Sequence, residues 1–313
     1  MPEAKTVAAI DIGTNSVLLV IAAAEPGTVR PVLERATITR MGEGVDQTRR
    51  LAPAAVERNL ACLRAYAEDL RAHGSPPLDV VGTSALRDAQ GAEEFLNEAE
   101  RILGVRPRVI AGDEEARLTF RGALSGLSLS GKLLVFDIGG GSTELILGEV
   151  SGTAPPESRV SLDIGSVRLF ERHVKSDPPT AAELSHLEAQ IAEALAGASP
   201  LSRVAAGEPL TLVGVAGTVT TLKALELGMP AYDAARVHGS TLSLSAVEGL
   251  CAKLASLPLA ERVKLPGLEP KRADVIVAGA LIVRELLRRA DAKETLVSDR
   301  GVRFGLLEAI ISA

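Results

Sequence analysis

Apolar residues run along this chain in two rhythms. Val7 to Ile10 and Leu133 to Phe136 are unbroken apolar runs, each ending in an acid, Asp11 and Asp137. A short stretch of glycine and hydroxyl residues follows each acid, and then a second apolar run, Val17 to Ala24 in one case and Leu145 to Leu147 in the other. Short continuous runs bounded by turn residues predict buried strands, so both segments predict strand, tight turn, strand. Val29 to Arg40 predicts a third strand, and Leu78 to Gly82 and Val105 to Ala111 two more. Between them the spacing changes. Val56, Leu60, Leu63, Ala67 and Leu70 recur in steps of four and three, which gives one helical stripe from Pro53 to a stop at Gly74. Phe95, Leu96, Ala99 and Ile102 do the same between Ala92 and Leu103, and Gly112 opens another helix to Ser125 with Asp113 as its cap.

From Leu133 the same order returns: the hairpin, a third strand at Arg159 to Asp163, helices at Val167 to Val174 and Thr180 to Ala198, and a strand at Leu210 to Val215. Helices at Thr218 to Leu227, Leu242 to Leu257 and Lys271 to Ala290, a strand at Thr295 to Ser298 and a last helix from Val302 complete it. Clusters at Gly152 to Pro156, Asp177 to Pro179 and Leu265 to Pro270 predict loops. A chain that opens each half with the same acidic hairpin reads as a duplication. The expectation is an α/β protein of two β-β-β-α-β-α-β-α domains, 1–125 and 126–313, with the last helix able to pack back on the first domain.

Composition narrows the class. With 46% apolar residues in 313 and a mean hydropathy of +0.21, disorder is excluded; only 2% are aromatic and Trp is absent, so the cores are built from Ala, Leu, Val and Ile. Val17 to Ala24 has strand length and no basic region before it, so neither an export nor a membrane segment is expected. Two cysteines, Cys62 and Cys251, lie in helical patterns and read as thiols of a reducing compartment, the cytoplasm. A net charge of −6 argues against general nucleic-acid or anionic-membrane binding, so any phosphate site is local. The four histidines are too scattered for a histidine-built metal centre.

The chemistry concentrates in the turns. Gly139, Gly140 and Gly141 carry no side chains and can adopt positive φ, so their amides can converge on an anion such as phosphate. The two familiar glycine-loop nucleotide motifs need a helix next, whereas Thr143 onward predicts a strand, so neither applies. An ordinary hairpin with a glycine bulge is the alternative. Gly13, Thr14, Asn15 and Ser16 form the twin turn, and Gly217-Thr218 precedes a helix whose N-terminus can face an anion. Glu115 either complements the dipole of the helix it starts or orients a water. Asp137 either ends a strand or holds a magnesium ion with its water shell, and Asp11 is its weaker twin. Arg87, placed at a helix start, calls for a ligand or a carboxylate partner. Arg117 and Arg121 line the same site or form a solvated stripe, and His238 reads as structural.

Six motifs in order, A-A-I-D-I-G-T-N-S, V-G-T-S-A-L-R-D-A, V-I-A-G-D-E-E-A-R-L, V-F-D-I-G-G-G-S-T-E-L, G-V-A-G-T-V-T-T and L-V-S-D-R-G-V-R-F-G, resemble those of the exopolyphosphatase/guanosine pentaphosphate phosphohydrolase (Ppx/GppA) family across the whole chain. The resemblance implies two RNase H-like (actin-like) domains with an interdomain cleft. It also implies removal of the terminal phosphate of inorganic polyphosphate or, alternatively, of guanosine pentaphosphate (pppGpp), with Mg2+ and a homodimer. More distant members of the superfamily are small-molecule kinases and non-catalytic nucleotide switches. Carried onto this chain, Glu115 is the catalytic base, and Asp137 and Glu144 serve the metal and the water, with Asp11 as a further metal carboxylate. The phosphate-binding set is Gly13, Thr14, Asn15, Ser16, Arg87, Gly139, Gly140, Gly141, Ser142, Thr143, Gly217 and Thr218. Leu18 departs from the family at a position commonly basic, and Arg300 at one usually glycine.

Overall fold

The computed structural model describes residues 5–25, 28–150, 156–203 and 210–312, so the loop expected at 152–156 lies outside the described residues except for Pro156. The chain divides into two compact units, Met1–Gly126 with Gly301–Ala313, and Leu127–Arg300. The last helix, which the sequence reading left able to pack back on the first domain, falls in the first unit.

In the first unit, β1 (Lys5–Ile12), β2 (Ser16–Glu25) and β3 (Thr28–Ile38) form an antiparallel meander, and β4 (Leu78–Gly82) and β5 (Arg108–Val109) add in parallel on the other side of β1, giving the order β3-β2-β1-β4-β5. An unbroken apolar run is what a strand covered on both faces requires. Ala8, Ile10 and Ile12 pack with Leu60, Leu63 and Phe95 from the helices Pro53–Ala72 and Ala92–Leu103. Val7 and Ala9 pack on the opposite face with Ile110, Phe304 and Leu307. The Val302–Ser312 helix therefore covers the face of the sheet that the chain's first hundred residues leave bare.

That helix also lies tightly against the helix Gly112–Leu124. A Cβ on Gly122 would meet the Gly301 carbonyl oxygen at 2.0 Å, and one on Gly305 the Leu118 carbonyl oxygen at 2.1 Å. Glycine is required by close backbone approach there, and the contact fixes the helix that carries Glu115. The strand expected over Val105 to Ala111 shrinks to Arg108–Val109, since Pro107 has no N–H to give a sheet.

The second unit repeats the plan. β6 (Lys132–Ile138), β7 (Thr143–Glu149) and β8 (Ser158–Leu162) form the meander, β9 (Leu210–Val215) runs parallel to β6, and β11 (Glu294–Val297) runs parallel to β9. β10 (Thr241–Ser243) adds an antiparallel edge to β11, in the order β10-β11-β9-β6-β7-β8. β10 corrects the sequence reading, which ran a helix from Leu242. The helix begins at Leu244, and the Ser243 hydroxyl caps it by accepting from the Ala246 amide at 3.1 Å. The helix expected from Lys271 begins at Ile276, after a 3₁₀ turn at Pro270–Arg272. Its Ile276, Ile282 and Leu286 join Phe136, Leu145 and Leu212 in the core of this unit.

Candidate active site

The β6–β7 register closes at Ile138 opposite Thr143, leaving Gly139 to Ser142 as the turn. Gly139 donates its amide to the Ser142 carbonyl at 3.0 Å. The other carbonyls are held from outside. Ser166 N–H donates to Gly139 O at 3.0 Å, Val167 and Arg168 N–H to Gly140 O at 2.9 and 3.0 Å, and Arg168 Nε to Gly141 O at 2.6 Å. The backbone donors belong to the first turn of the helix Ser166–His173, where no intrahelical acceptor exists. In a trans peptide the C=O and N–H point in opposite directions. Holding the carbonyls of Gly139, Gly140 and Gly141 on one side therefore turns the amides of Gly140, Gly141 and Ser142 to the other, and among the described residues none of these three amides donates to the protein.

The glycines do this without the conformation the sequence suggested: none of Gly139, Gly140 and Gly141 has positive φ. Space is the reason on the clamp side, where a Cβ on Gly165 would stand 2.3 Å from Gly140 O. The sequence offers a signal for this clamp that motif reading missed. Asp163-Ile164-Gly165-Ser166 repeats the D-I-G of both hairpins directly after the third strand.

The first hairpin is built the same way. Its register closes at Ile12 opposite Val17, and Gly13 donates to Ser16 O at 2.9 Å. Gly42 N–H holds Thr14 O at 2.9 Å, and the Thr39 and Arg40 amides hold Asn15 O at 3.1 and 3.0 Å. Here too the clamp follows the third strand, though as a loop, with Arg40 at a φ of 52°. Thr14 Oγ1 bonds Ser84 Oγ at 2.7 Å. Asn15 is buried, and among the described residues neither its Oδ1 nor its Nδ2 has a partner, a costly arrangement unless a ligand or water meets it.

The acids separate the two hairpins. Asp137 stands directly across the β6–β7 ladder from Glu144, which is buried and accepts from Ser161 Oγ at 2.7 Å. Like charges facing each other across a ladder repel, so the pair favours a cation nearby. The equivalent position opposite Asp11 is Leu18. No group of three or more His, Cys, Asp or Glu suited to a metal occurs among the described residues. One or two carboxylates completed by phosphate oxygens and water are what Mg2+ takes, and the Asp137–Glu144 pair fits that donor set.

Glu115 is 7% exposed in the first turn of its helix and receives Arg87 Nη1 at 3.2 Å, while the same nitrogen donates to Ile110 O at 2.8 Å. Arg87 is in the last turn of the short helix Ser84–Asp88, not at a helix start, and a cation is favourable there. A carboxylate, one of the two options read from sequence, is a partner of Arg87 in the structure. Asp113 is not the cap: Ala111 holds that position, and Asp113 sits exposed in the first turn. Arg117 and Arg121 are exposed, and Arg121 lies 3.7 Å from Glu308.

Two threonines of the expected phosphate set make hydrogen bonds within the protein. Thr143 Oγ1 donates to Ile164 O at 2.5 Å and Thr218 Oγ1 to Ile138 O at 3.1 Å, both in buried settings. Gly217 lies inside the helix Ala216–Glu226, entered through Ala216 at a φ of 65°, and a Cβ on it would run into the Arg272 guanidinium at 2.0 Å. His238 Nδ1 lies 3.1 Å from Asp299, in keeping with its structural reading.

The model of the Ppx/GppA phosphatase family matches residues 20–312. Exopolyphosphatase 2 of Mycobacterium tuberculosis is 41% identical over 96% of this chain and 97% of its own length. The guanosine-5'-triphosphate,3'-diphosphate pyrophosphatase of Aeromonas salmonicida is 31% identical, over 97% of this chain and 59% of that protein. Among solved structures, the Ppx/GppA family member of Aquifex aeolicus superposes with a TM-score of 0.80 at 34% identity, covering 98% of both chains.

Proposed function

From the premise that this chain belongs to the Ppx/GppA phosphatase family and is a hydrolase acting on phosphoric anhydrides, we propose that it removes the terminal phosphate of inorganic polyphosphate. The observation that carries the reading is the clamped turn at Gly139 to Ser142, whose three outward amides suit a phosphoryl group. The Gly140, Gly141 and Ser142 amides hold the transferred group and meet the charge that grows on it as the anhydride breaks. Glu115, kept in one rotamer by Arg87, accepts the proton of the attacking water. The departing phosphate chain is a good leaving group, so no dedicated acid is required. Asp137 and Glu144 would hold Mg2+, which neutralises phosphate charge when bound. Asn15 offers a buried amide to the same substrate class.

Polyphosphate is preferred to guanosine pentaphosphate because the exopolyphosphatase relative is the more similar one, at 41% against 31% identity. A reducing cytoplasm fits two buried free thiols, Cys62 and Cys251, and no helix among the described residues is long and apolar enough to cross a membrane. Homodimer formation follows from the resemblance and is checked by sedimentation. The deciding experiment for function is phosphate release from long polyphosphate, short polyphosphate, guanosine pentaphosphate and ATP side by side. Fastest release from a polyphosphate, with water as the only acceptor, is expected; fastest release from guanosine pentaphosphate would reassign the substrate.

A further inference from the structure

Three peptide groups make up the Gly139–Ser142 turn, and the protein holds them unequally. The Gly139 and Gly140 carbonyls are held by backbone amides of Ser166, Val167 and Arg168. The Gly141 carbonyl, which shares its peptide with the Ser142 amide, is held by a side chain, Arg168 Nε at 2.6 Å. Arg168 is 7% exposed, and its ion pair to Asp163 is long, 3.9 Å to a carboxylate that is 87% exposed. Such a pair is weak. The bond to Gly141 is short.

We propose that Arg168 is a positioning residue for catalysis: by holding the Gly141 carbonyl it keeps the Gly141–Ser142 peptide from turning over, so that the Ser142 amide rather than a carbonyl oxygen faces the phosphoryl group. This rests on reading Gly139 to Ser142 as the phosphate loop. A carbonyl turned toward a phosphate would replace a donor with a repelling dipole, at the point where charge accumulates in the transition state. The residue never touches substrate in this account. Its action is carried by one nitrogen, and the net charge of the side chain is incidental.

That last point gives a test that packing or charge alone would not satisfy. In Arg168→Gln the amide nitrogen stands where Nε stood, three carbons beyond Cα, whereas in Arg168→Met a methyl group takes that place. Arg168→Met is expected to lower kcat roughly ten- to a hundredfold, the worth of one charge-assisted hydrogen bond, and to weaken inhibition by inorganic phosphate. Arg168→Gln is expected to stay within about threefold of wild type at the same melting temperature, because a neutral donor there keeps most of the bond. A folded Arg168→Gln protein as impaired as Arg168→Met, or impaired beyond about tenfold where the Met variant does not fold, would overturn the proposal in favour of a charge role. Gly165→Ala, which presses a methyl onto Gly140 O, separates the two levels. If it leaves phosphate inhibition unchanged, the phosphate-loop reading itself fails, and the proposal with it. If it weakens inhibition while Arg168→Met changes nothing, only the role of Arg168 fails.

Discussion

The two hairpins of this protein share a backbone device and differ in what they put on it. In each, the first glycine closes the turn, at Gly13 and Gly139, and the segment after the third strand grips the turn's carbonyls. A glycine makes room for the grip: a Cβ would sit 2.2 Å from Thr14 Cγ2 at Gly42 and 2.3 Å from Gly140 O at Gly165. The first turn then carries side chains, Thr14 and Asn15, and its acid faces Leu18. The second is bare backbone, and its acid faces another acid. Duplication supplied the scaffold twice, and divergence left side chains on one turn and amides beside a carboxylate pair on the other. The second copy also uses a helix N-terminus in an unusual sense. Its amides go to the loop, and the loop's amides are what remain for the ligand, instead of the helix meeting the anion directly.

This contrast can be broken at several places. The largest effect is expected at Glu115. Glu115→Gln should lower kcat on polyphosphate by ~10²-fold or more while binding persists, because the amide fills the space but cannot take a proton. Next come the acids. Asp137→Asn should raise the Mg2+ concentration needed for half-maximal rate well above that of Asp11→Asn, since only Asp137 faces a second carboxylate. Equal requirements in a Mg2+ titration of the two variants would contradict the asymmetry.

Smaller effects separate the two clamps. Gly165→Ala should cost about 1–3 kcal/mol in chemical denaturation, since backbone blocks the new methyl. At Gly42 the obstacle is one methyl of Thr14, so Gly42→Ala should recover when combined with Thr14→Ser. A double variant no more stable than Gly42→Ala would show that backbone blocks Gly42 as well, and that the two clamps do not differ in this way. The smallest change is Thr14→Val, which removes the bond to Ser84 and should cost about 0.5–1.5 kcal/mol.

Much of this was legible in the residues. The apolar runs ending in Asp11 and Asp137 marked both hairpins, and the stripe from Val56 to Leu70 marked its helix, because burial on a sheet leaves a periodic record. β10 and the shortened β5 were not, since strands of three and two residues leave no period to read. The last helix could be drawn but not assigned to a unit, because the face of β1 that it covers was created elsewhere in the chain. In the candidate site, the loops and Glu115 stand out as motifs. Arg168 was not, since an arginine two residues into a helix looks like any surface cation until the fold lays it under a carbonyl. For Thr143 and Thr218 the motif said nothing of the bonds their hydroxyls make. Hydroxyls next to glycine turns suggest phosphate contacts, yet both donate to backbone that the fold brought near them.

The central claim is that the second turn presents backbone amides to phosphate because its carbonyls are held from behind. Its most direct test is the amide spectrum of the Glu115→Gln protein titrated with tripolyphosphate. The Gly140, Gly141 and Ser142 amide protons should shift downfield on saturation, while Gly139, already bonded to the Ser142 carbonyl, should hardly move. A Gly139 shift as large as the other three, or no response from any of the three while the ligand binds, would contradict the account.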